Sequence, residues 1–414
     1  MKVTSIASPD VRTAIWSLDG SAADANNTYI GTVTGGTYTN ATYFGIGYAL
    51  SLTGAGSYAL ISSPFFNLSY TSFTIEAWIY LTSIASDNII FSQCCTGCQD
   101  QCIVVGVQTG KIYMGMPLNN VYGTTILLVN TWYHVAYVYD YSTFTQSVYL
   151  QGILEGTKTS VDPYTGQTGS IMFGAVNLTV GSYTGNVDAI TLTTTAKTAA
   201  SILSDATLVA YFSFDSLPVI QVQGPNALYT YSQNTNRVAG KRSTGLSFSG
   251  TSSYFQMLGM PLYLSPIRSH SFAMWIYPYA VNGGNLLQKS KLATLGGPCN
   301  QLIGFNSVKQ IVFAASTSNV LVGPFITANQ WTHIGYTYSA ANGIIMYVNG
   351  VSYGTTGSFN FVTTNSLDWL NVGWGGGTCP LSPIVAGYYQ GIIDELYVYQ
   401  RELTASEIAT LALS

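Results

Sequence analysis

The sequence predicts an all-β protein of two tandem antiparallel β-sandwich jelly rolls, each ending in a short helix. The first observation is a repeat, because Asn130–Tyr139 returns as Asn329–Tyr338 and other landmarks return in the same order. The period of about 200 residues exceeds the roughly 20–50 of solenoid repeats, so each copy should be a whole domain. The second observation is that each copy consists of short alternating runs separated by Gly, Asn and Ser, which is typical of antiparallel strands.

Strands are indicated wherever β-branched and aromatic residues recur at a period of two. The segments with this pattern are, in chain order, Phe73–Tyr80, Trp132–Tyr139, Ser147–Leu150, Leu208–Phe214, Trp331–Tyr338 and Ile344–Val348. Gln151-Gly152 and Asn349-Gly350 each follow one of these segments and predict tight hairpin turns. The two turns occupy equivalent positions, so both copies should contain the same hairpin.

A helical signal closes each copy. Thr404-Ala-Ser-Glu407 is a capping box, and it opens a predicted helix that runs to Leu411. Residues 197–203 are its weaker counterpart, which places the domain boundary near 204–207. The sequence therefore predicts a β-capable N-terminal segment at residues 1–9, one jelly roll at 10–206 and a second at 207–414.

The composition is poor in charge and excludes several functions. Charged residues make up 7% of the chain, against about a quarter in most proteins, and hydrophobic residues make up 47%. With 13 Lys and Arg against 17 Asp and Glu, the sequence predicts no basic face for nucleic acid or anionic lipid. The apolar runs fall short of the roughly 20 residues that cross a bilayer, so we expect no membrane insertion.

The same lack of charge predicts that the chain associates with copies of itself, because electrostatic repulsion between copies is weak. Val3–Ala7 is β-capable and uncharged, and Pro9 separates it from the first jelly roll. Such a segment is able to add as a strand to the sheet of a neighbouring molecule. Because a head-to-tail contact of this kind does not close, it predicts a filament.

Cysteines and glycosylation sequons together indicate an extracellular protein, either secreted or on the cell surface. Cys94 and Cys95 are adjacent, which disfavours a bond between them and leaves Cys94–Cys98 with Cys95–Cys102, or Cys94–Cys102 with Cys95–Cys98. A zinc site is disfavoured because zinc ligands usually come as two separated pairs. The remaining predicted disulfide is Cys299–Cys379. The Asn-x-Ser/Thr sequons are at Asn26, Asn40, Asn67 and Asn177, all in copy one.

Four motifs identify a family resemblance. In copy two they are Trp-x-His-Ile-Gly-x-x-Tyr at 331–338, Tyr-Val-Asn-Gly at 347–350, Gly-Ile-Ile-Asp-Glu-Leu at 391–396 and Leu-Thr-Ala-Ser-Glu-Ile at 403–408. The combination resembles the laminin G-like, concanavalin A-like lectin–glucanase family over nearly the whole chain. The resemblance implies the jelly-roll fold, and it leaves function open, because the family includes lectins, adhesion modules, glycosidases and structural spacers.

The sequence predicts that the protein is not an enzyme. Family members that hydrolyse glycans carry Glu-x-Asp-x-x-Glu or a near variant, which sets an acid and a nucleophile on one strand face. None of the five Glu residues lies in such a pattern, and Glu76, which Ala273 replaces in copy two, is predicted to be a solvent-facing strand residue. His134 and His333 are duplicated among aromatic residues, which predicts a scaffold role.

Four aspartates form the candidate metal sites. In this fold the first and last strands of a domain pair, which should bring Asp19 beside Asp188 and Asp215 beside Asp394. Two carboxylates with nearby carbonyls suit Ca²⁺, which family members often bind, and a duplicated site would be structural. The competing interpretation is that Asp19 and Asp215 begin turns and accept backbone hydrogen bonds.

One aromatic residue is a candidate ligand contact. Trp374 lies in a Gly-rich loop that is specific to copy two, where it could stack on a sugar ring. The sequence thus supports two hypotheses. The first is an extracellular, non-enzymatic structural or interaction glycoprotein that associates with itself, head to tail, into a filament or surface coat. The alternative is a calcium-dependent carbohydrate-binding lectin or adhesion protein whose partners are glycans.

Overall fold

The computed structural model shows two compact units, copy one and copy two, with the boundary between Ala206 and Thr207. The structure describes residues 12–43, 47–94, 102–166, 168–176, 183–215, 229–250, 252–258, 269–293, 299–361, 369–374, 379 and 383–413. The predicted N-terminal segment, residues 1–9, lies outside these ranges. Each unit is a sandwich of two antiparallel sheets with a short C-terminal helix, so the predicted fold class is confirmed.

Copy one contains fifteen strands and one helix within the residues that the structure describes. They are β1 (Thr13–Trp16), β2 (Thr32–Thr34), β3 (Thr37–Thr39), β4 (Ala49–Thr53), β5 (Tyr58–Ile61), β6 (Phe73–Leu81), β7 (Asn88–Gln93), β8 (Ile103–Gln108), β9 (Lys111–Met116), β10 (Asn119–Tyr122), β11 (Trp132–Asp140), β12 (Thr145–Leu150), β13 (Ile153–Lys158), β14 (Ile171–Phe173), β15 (Thr184–Thr193) and α1 (Ala199–Thr207). One sheet has the order β13-β12-β11-β6-β15-β4-β3, with β1 also on β15. The other has the order β10-β9-β8-β7-β14-β5-β2.

Copy two repeats this arrangement. Its described elements are β16 (Leu208–Phe212), β17 (Tyr229–Gln233), β18 (Thr235–Ala239), β19 (Thr244–Ser249), β20 (Tyr254–Leu258), β21 (His270–Pro278), β22 (Asn285–Ser290), β23 (Cys299–Phe305), β24 (Gln310–Ala314), β25 (Val320–Phe325), β26 (Thr332–Ser339), β27 (Gly343–Val348), β28 (Val351–Thr355), β29 (Trp369–Val372), β30 (Gln390–Tyr399) and α2 (Ala405–Leu413). Its sheets have the orders β18-β19-β30-β21-β26-β27-β28, with β16 on β30, and β17-β20-β29-β22-β23-β24-β25.

The core lies between the two sheets of each copy. Along β6 the residues at every second position, Phe73, Ile75 and Ile79 among them, are fully buried against the opposite sheet. Side chains alternate between the two faces of a strand. One set of alternate residues in the sequence pattern of β6 is therefore the set that faces the core. Inside copy one the Tyr137 hydroxyl donates a hydrogen bond of 2.8 Å to the Gly106 carbonyl, which joins the two sheets.

The outer face of the main sheet is covered by the closing helix. Ile202 on α1 packs with Ala136, Val138 and Tyr149 of β11 and β12. β6 is buried on both faces, so neither face of this strand is open to water.

The helix of copy two begins at its predicted N-terminal cap. In copy two the Thr404 hydroxyl accepts the Glu407 N–H at 3.3 Å, and the Glu407 carboxylate accepts the Thr404 N–H at 2.9 Å. This reciprocal pair confirms the predicted capping box. The helix runs to Leu413, two residues beyond the predicted end, and within the described residues no helix is long and apolar enough to cross a membrane.

The helix docks on the predicted hairpin turn. Gly152 and Gly350 have φ values of 80° and 79°, in the left-handed region that glycine tolerates best. A Cβ on Gly152 would lie 2.7 Å from the Cα of Leu203, so α1 packs directly on the turn. The two turns therefore serve both as hairpin connections and as seats for the helices.

Candidate functional site

Glu76 lies beneath α1 and is 3% exposed, so its prediction as a solvent-facing residue was wrong. Its carboxylate is paired with Lys197, which precedes α1, and the Lys197 Nζ lies 3.0 Å from Oδ2 of Asp205. The alternation along β6 places Glu76 on the outer face, as the sequence indicates. The helix, whose first residue is more than a hundred positions further along the chain, then covers that face.

Burial governs the charges of this group. It raises the pKa of Glu76 to about 7, although Lys197 opposes the shift. Burial also disfavours the charge on Lys197, but the Glu76 and Asp205 carboxylates outweigh it and raise the Lys197 pKa. A carboxyl held in this way under a helix has no open surface through which to reach a substrate.

Copy two replaces the same three positions with apolar residues. Ala273 stands where β6 has Glu76, and Leu403 and Leu411 occupy the positions of Lys197 and Asp205 relative to the helix. Ala273 and Leu403 belong to one buried cluster, and Leu411 packs against it. The fold therefore forms with either an ionic or an apolar layer under its helix.

His134 and His333 have the same surroundings in the two copies. Each imidazole packs edge-on against a tryptophan, Trp78 or Trp275, with ring centroids 5.3 Å apart. Burial lowers the pKa of His134 to about 3 and that of His333 to about 4, so both rings are neutral at physiological pH. Nε2 of His134 lies 3.7 Å from Oε1 of Glu76, whereas His333 has Ala273 at that position.

The predicted aspartate pair of copy one lies at the end of β1. Trp16 of β1 pairs with Ile190 of β15. Because the strands are antiparallel, Asp19, which follows Trp16, lies near Asp188, which precedes Ile190. Asp188 is 8% exposed, and burial together with the Asp19 charge raises its pKa to about 8. Asp19 Oδ1 accepts the Tyr48 N–H at 2.7 Å. Two carboxylates with interacting charges are a favourable setting for a cation.

The aspartates of copy two also accept backbone hydrogen bonds, and burial raises the pKa of Asp394 to about 7. Asp394 accepts the N–H of Arg242 through Oδ2 and that of Glu395 through Oδ1, both at 2.9 Å. Asp215 Oδ1 accepts the Thr244 N–H, also at 2.9 Å. Asp215, like Asp19, thus accepts a backbone hydrogen bond, as in the competing interpretation from the sequence. Among the described residues no group of three or more His, Cys, Asp or Glu side chains is placed to hold a metal.

The disulfides of the described residues are Cys94–Cys102 and Cys299–Cys379. The first selects one of the two connectivities left open for copy one, while Cys95 and Cys98 lie outside the described residues. Three sequon asparagines, Asn26, Asn40 and Asn67, are exposed. Asn177 lies outside the described residues.

A cleft opens at one end of copy two, between the loop after β21 and the loop before β30. Its volume is about 280 Å³, and its lining comprises Ala280, Asn282, Gly283, Gly284, Val385, Ala386, Gly387, Tyr388 and Gln390. Gly284 has a φ of 107°, and a Cβ there would lie 2.9 Å from the Tyr388 carbonyl oxygen. The glycine therefore lets the two loops approach and form the wall of the cleft.

Trp374 follows Gly373, whose carbonyl accepts the Tyr389 N–H at 2.9 Å, and Tyr389 adjoins Tyr388 of the cleft. The Trp374 ring stacks on Tyr254 with centroids 4.2 Å apart and planes inclined by 23°. Tyr254 in turn lies 6.0 Å from Tyr231, which is 44% exposed. We call Trp374, Tyr254 and Tyr231 the aromatic row. Trp374 was predicted from the sequence, whereas Tyr254, Tyr231 and the cleft were not. The Gly283-Gly284 pair before β22 was a sequence signal that two backbone segments approach closely there.

Comparison with known proteins agrees with the motifs. The sequence profile of the concanavalin A-like lectin/glucanases superfamily matches residues 53–203 and 249–409, one stretch in each copy. No protein of curated function matches the sequence.

Several solved structures are similar to parts of the chain at low sequence identity. Domain 4 of AbnA, a GH43 extracellular arabinanase from Geobacillus stearothermophilus, is 18% identical, with coverage of 50% of this chain and 98% of that one and a TM-score of 0.37. Domains LG4-5 of the mouse laminin alpha1 chain are 14% identical, and the match covers 81% of this chain and 84% of that one with a TM-score of 0.26. A sialidase from Trypanosoma rangeli is 12% identical, and the match covers 76% of this chain and 61% of that one with a TM-score of 0.39.

The ionic layer under α1 generates a stability prediction. Glu76→Ala leaves Lys197 with one partly exposed partner, and we expect it to lower the free energy of unfolding by roughly 2–4 kcal/mol. The triple variant Glu76→Ala, Lys197→Leu, Asp205→Leu copies the layer of copy two and should recover most of that loss, as measured by urea denaturation. A triple variant no more stable than the single one would contradict this account.

The aspartate pair predicts a pH dependence. Because the folded-state pKa of Asp188 lies above the unfolded value, protonated Asp188 favours folding at low pH, and this contribution is lost as pH rises through about 8. Asp188→Asn should therefore raise the melting temperature at pH 8.5 in chelator and leave it nearly unchanged at pH 4. Asp215→Asn, at an exposed carboxylate, is the control. An equal effect of Asp188→Asn at both pH values would refute the prediction.

Proposed function

Because the chain belongs to the concanavalin A-like lectin/glucanases superfamily, we propose that it is a non-catalytic carbohydrate-binding protein that acts outside the cell. The observation that carries this proposal is the cleft of copy two with the aromatic row beside it. Clefts that combine apolar walls with a few convergent polar groups are the usual form of small-ligand sites.

The lining of the cleft is suited to sugar hydroxyls. Asn282 and Gln390 offer amide groups that both donate and accept hydrogen bonds, and Tyr388 adds a phenol. Val385 and the glycine backbone supply apolar surface for the ring carbons. A sugar presents this same mixture of hydroxyls and C–H groups, so the chemistry of the cleft matches the ligand.

The proposal that binding is not followed by hydrolysis is supported by the carboxylates. Glycosidases of the common type need a pair of Asp or Glu residues on either side of the scissile bond. None of the described residues lining the cleft is Asp, Glu or His. Glu76, in a strand of the kind that carries such residues in hydrolytic relatives, lies under α1 in the other copy.

Calcium enters this proposal as a structural ion of copy one. The Asp19 and Asp188 carboxylates are hard oxygen donors of the type that Ca²⁺ prefers, and a cation there would relieve their mutual repulsion. The charge of Asp19 acts on Asp188, whereas the carboxylate charge that acts on Asp394 is that of Glu395, so we propose a single site rather than the two expected from the sequence.

The extracellular setting is supported by the covalent features of the chain. Disulfides persist in oxidising compartments, and the structure holds one in each copy among its described residues. The exposed positions of Asn26, Asn40 and Asn67 are compatible with N-linked glycans. Such glycans would supply the surface polarity that a chain with 7% charged residues lacks.

A glycan array tests this function. The full chain should bind a subset of glycans, and Tyr388→Ala should abolish binding, because the phenol lines the cleft. Tyr353→Ala removes a tyrosine that is 53% exposed on β28 and should leave binding unchanged. Chelator should leave binding unchanged, because the proposed calcium site is in copy one and the cleft is in copy two. Absence of binding with and without calcium would rule out the carbohydrate-binding function.

Self-association is the second candidate function, and exposed apolar side chains favour it. In copy one they follow β10, the next loop and β13, and they are Leu118, Tyr122, Ile126, Leu128, Val129, Ile153 and Leu154. We call this set the edge surface. β10 and β13 are the last strands of their sheets, and sheet edges are common sites of association.

The edge surface is held in place by one carboxylate. Glu155 on β13 accepts hydrogen bonds from the N–H and hydroxyl groups of Thr124 and Thr125, with distances of 2.6 to 2.9 Å. These contacts lower the pKa of Glu155 to about 2, against the effect of burial. The loop that carries Ile126 and Leu128 is therefore fixed with those side chains exposed, which suits a contact surface.

Negative-stain microscopy and light scattering test this second function. The wild-type chain should form assemblies that grow with concentration, and Leu128→Ser with Ile153→Ser should reduce them. Tyr70→Ser, at a residue 57% exposed outside the edge surface, should not. Deletion of residues 1–9 tests the predicted strand donor separately. Discrete wild-type monomers at high concentration would exclude self-association.

A further inference from the structure

The charge of the copy-two cleft restricts what it can bind. None of the nine described residues that line it is Lys, Arg, Asp, Glu or His. Proteins recognise carboxylates, sulfates and phosphates with Arg or Lys, because a desolvated anion needs a charged or multiple hydrogen-bond donor. A cleft of amides, a phenol and glycine backbone therefore favours a ligand without formal charge.

The size of the cleft indicates that the ligand continues beyond it. Its volume of about 280 Å³ is just below the roughly 300–1,000 Å³ of pockets for drug-sized molecules. One sugar ring fits such a space, while further units of a glycan chain would lie on the adjoining surface.

The aromatic row provides that adjoining surface. The Gly373 carbonyl, next to Trp374 in the chain, accepts the N–H of Tyr389, next to Tyr388 of the cleft, at 2.9 Å. The Tyr254 hydroxyl donates to Gln233 Oε1 at 2.8 Å, which fixes its ring between Trp374 and Tyr231. Tyr231 lies on β17, the last strand of its sheet. The row thus runs from the cleft to the edge of the sheet.

Copy one lacks this row although it has the same strands. By the pairing of β2 with β5, and of β5 with β14, Thr32, Tyr58 and Ala175 occupy the positions of Tyr231, Tyr254 and Trp374. The sandwich therefore does not need two of the three aromatic rings for its packing. Exposed aromatic rings that the fold does not require are typical of binding surfaces.

We propose that the cleft and the aromatic row together bind an uncharged glycan of at least three sugar units, with one unit in the cleft and the next ones in contact with the row. The inference rests on the proposed carbohydrate-binding function and adds the charge and the length of the ligand. Contact with aromatic rings tolerates different sugars, so the row contributes affinity and length preference, while the amides of the cleft select the ring that enters.

Calorimetric titration with neutral β-glucan, mannan and arabinan oligosaccharides of one to five units tests this inference. For the series that binds, affinity should rise up to at least three units. Tyr231→Ala should weaken trisaccharide binding about fivefold and leave monosaccharide binding unchanged. Tyr58→Ala, at the equivalent position of copy one to Tyr254, is the matched control and should have no effect. Sialylated and uronate-containing glycans of the same length should bind more weakly.

The outcomes separate this inference from the function on which it rests. If no glycan binds at all, the carbohydrate-binding function fails and the inference fails with it. If neutral sugars bind with the same affinity at every length, or Tyr231→Ala has no effect on the trisaccharide, only the role of the aromatic row is overturned. If the charged glycans bind more tightly than the neutral ones, the assignment of an uncharged ligand is wrong.

Discussion

The packing of a short helix on the outer face of the main sheet is the interaction on which the rest of each copy depends. A single sandwich has a core between its sheets, and its outer faces can remain in water. Here the helix seats on the glycine turn of the neighbouring hairpin and buries the central strands on their second face as well. That second layer tolerates different chemistry, because ions in copy one and apolar side chains in copy two both support the same helix. Burying charges is costly unless they are paired, so Glu76 and Lys197 had to appear together.

The fold could be predicted from the sequence because it depends on local patterns. The alternation in β6 and β11, the Asn349-Gly350 turn and the capping box at Thr404 each specify their element within a few residues. The repeat then supplied the same information twice. The prediction for Glu76 failed for the opposite reason, because its burial depends on a helix more than a hundred residues away that no local pattern connects to β6.

The candidate site was predictable only in part for a similar reason. Trp374 could be selected because it is specific to one copy. The cleft is formed by two loops about a hundred residues apart in sequence, and its residues are of ordinary types. Asn282, Tyr388 and Gln390 acquire a common role only when β22 and β30 bring their loops together. A constellation of neutral side chains leaves no spacing signature of the kind that paired carboxylates or metal ligands leave.

The two copies show how one fold divides scaffold from function. Features present in both, such as the imidazole packed edge-on against a tryptophan and the helix on its turn, are required by the sandwich itself. Copy one then differs by the ionic Glu76 layer, by the interacting charges of Asp19 and Asp188, and by its edge surface. Copy two differs by open, neutral and aromatic surface at its loops. Copy two has an apolar layer under its helix, so the contact between that helix and the main sheet does not depend on ionised side chains, although burial raises the pKa of Asp394 to about 7. The cleft thus belongs to the copy whose helix contacts the main sheet through an apolar layer, and its described lining residues have no ionisable group other than the Tyr388 phenol.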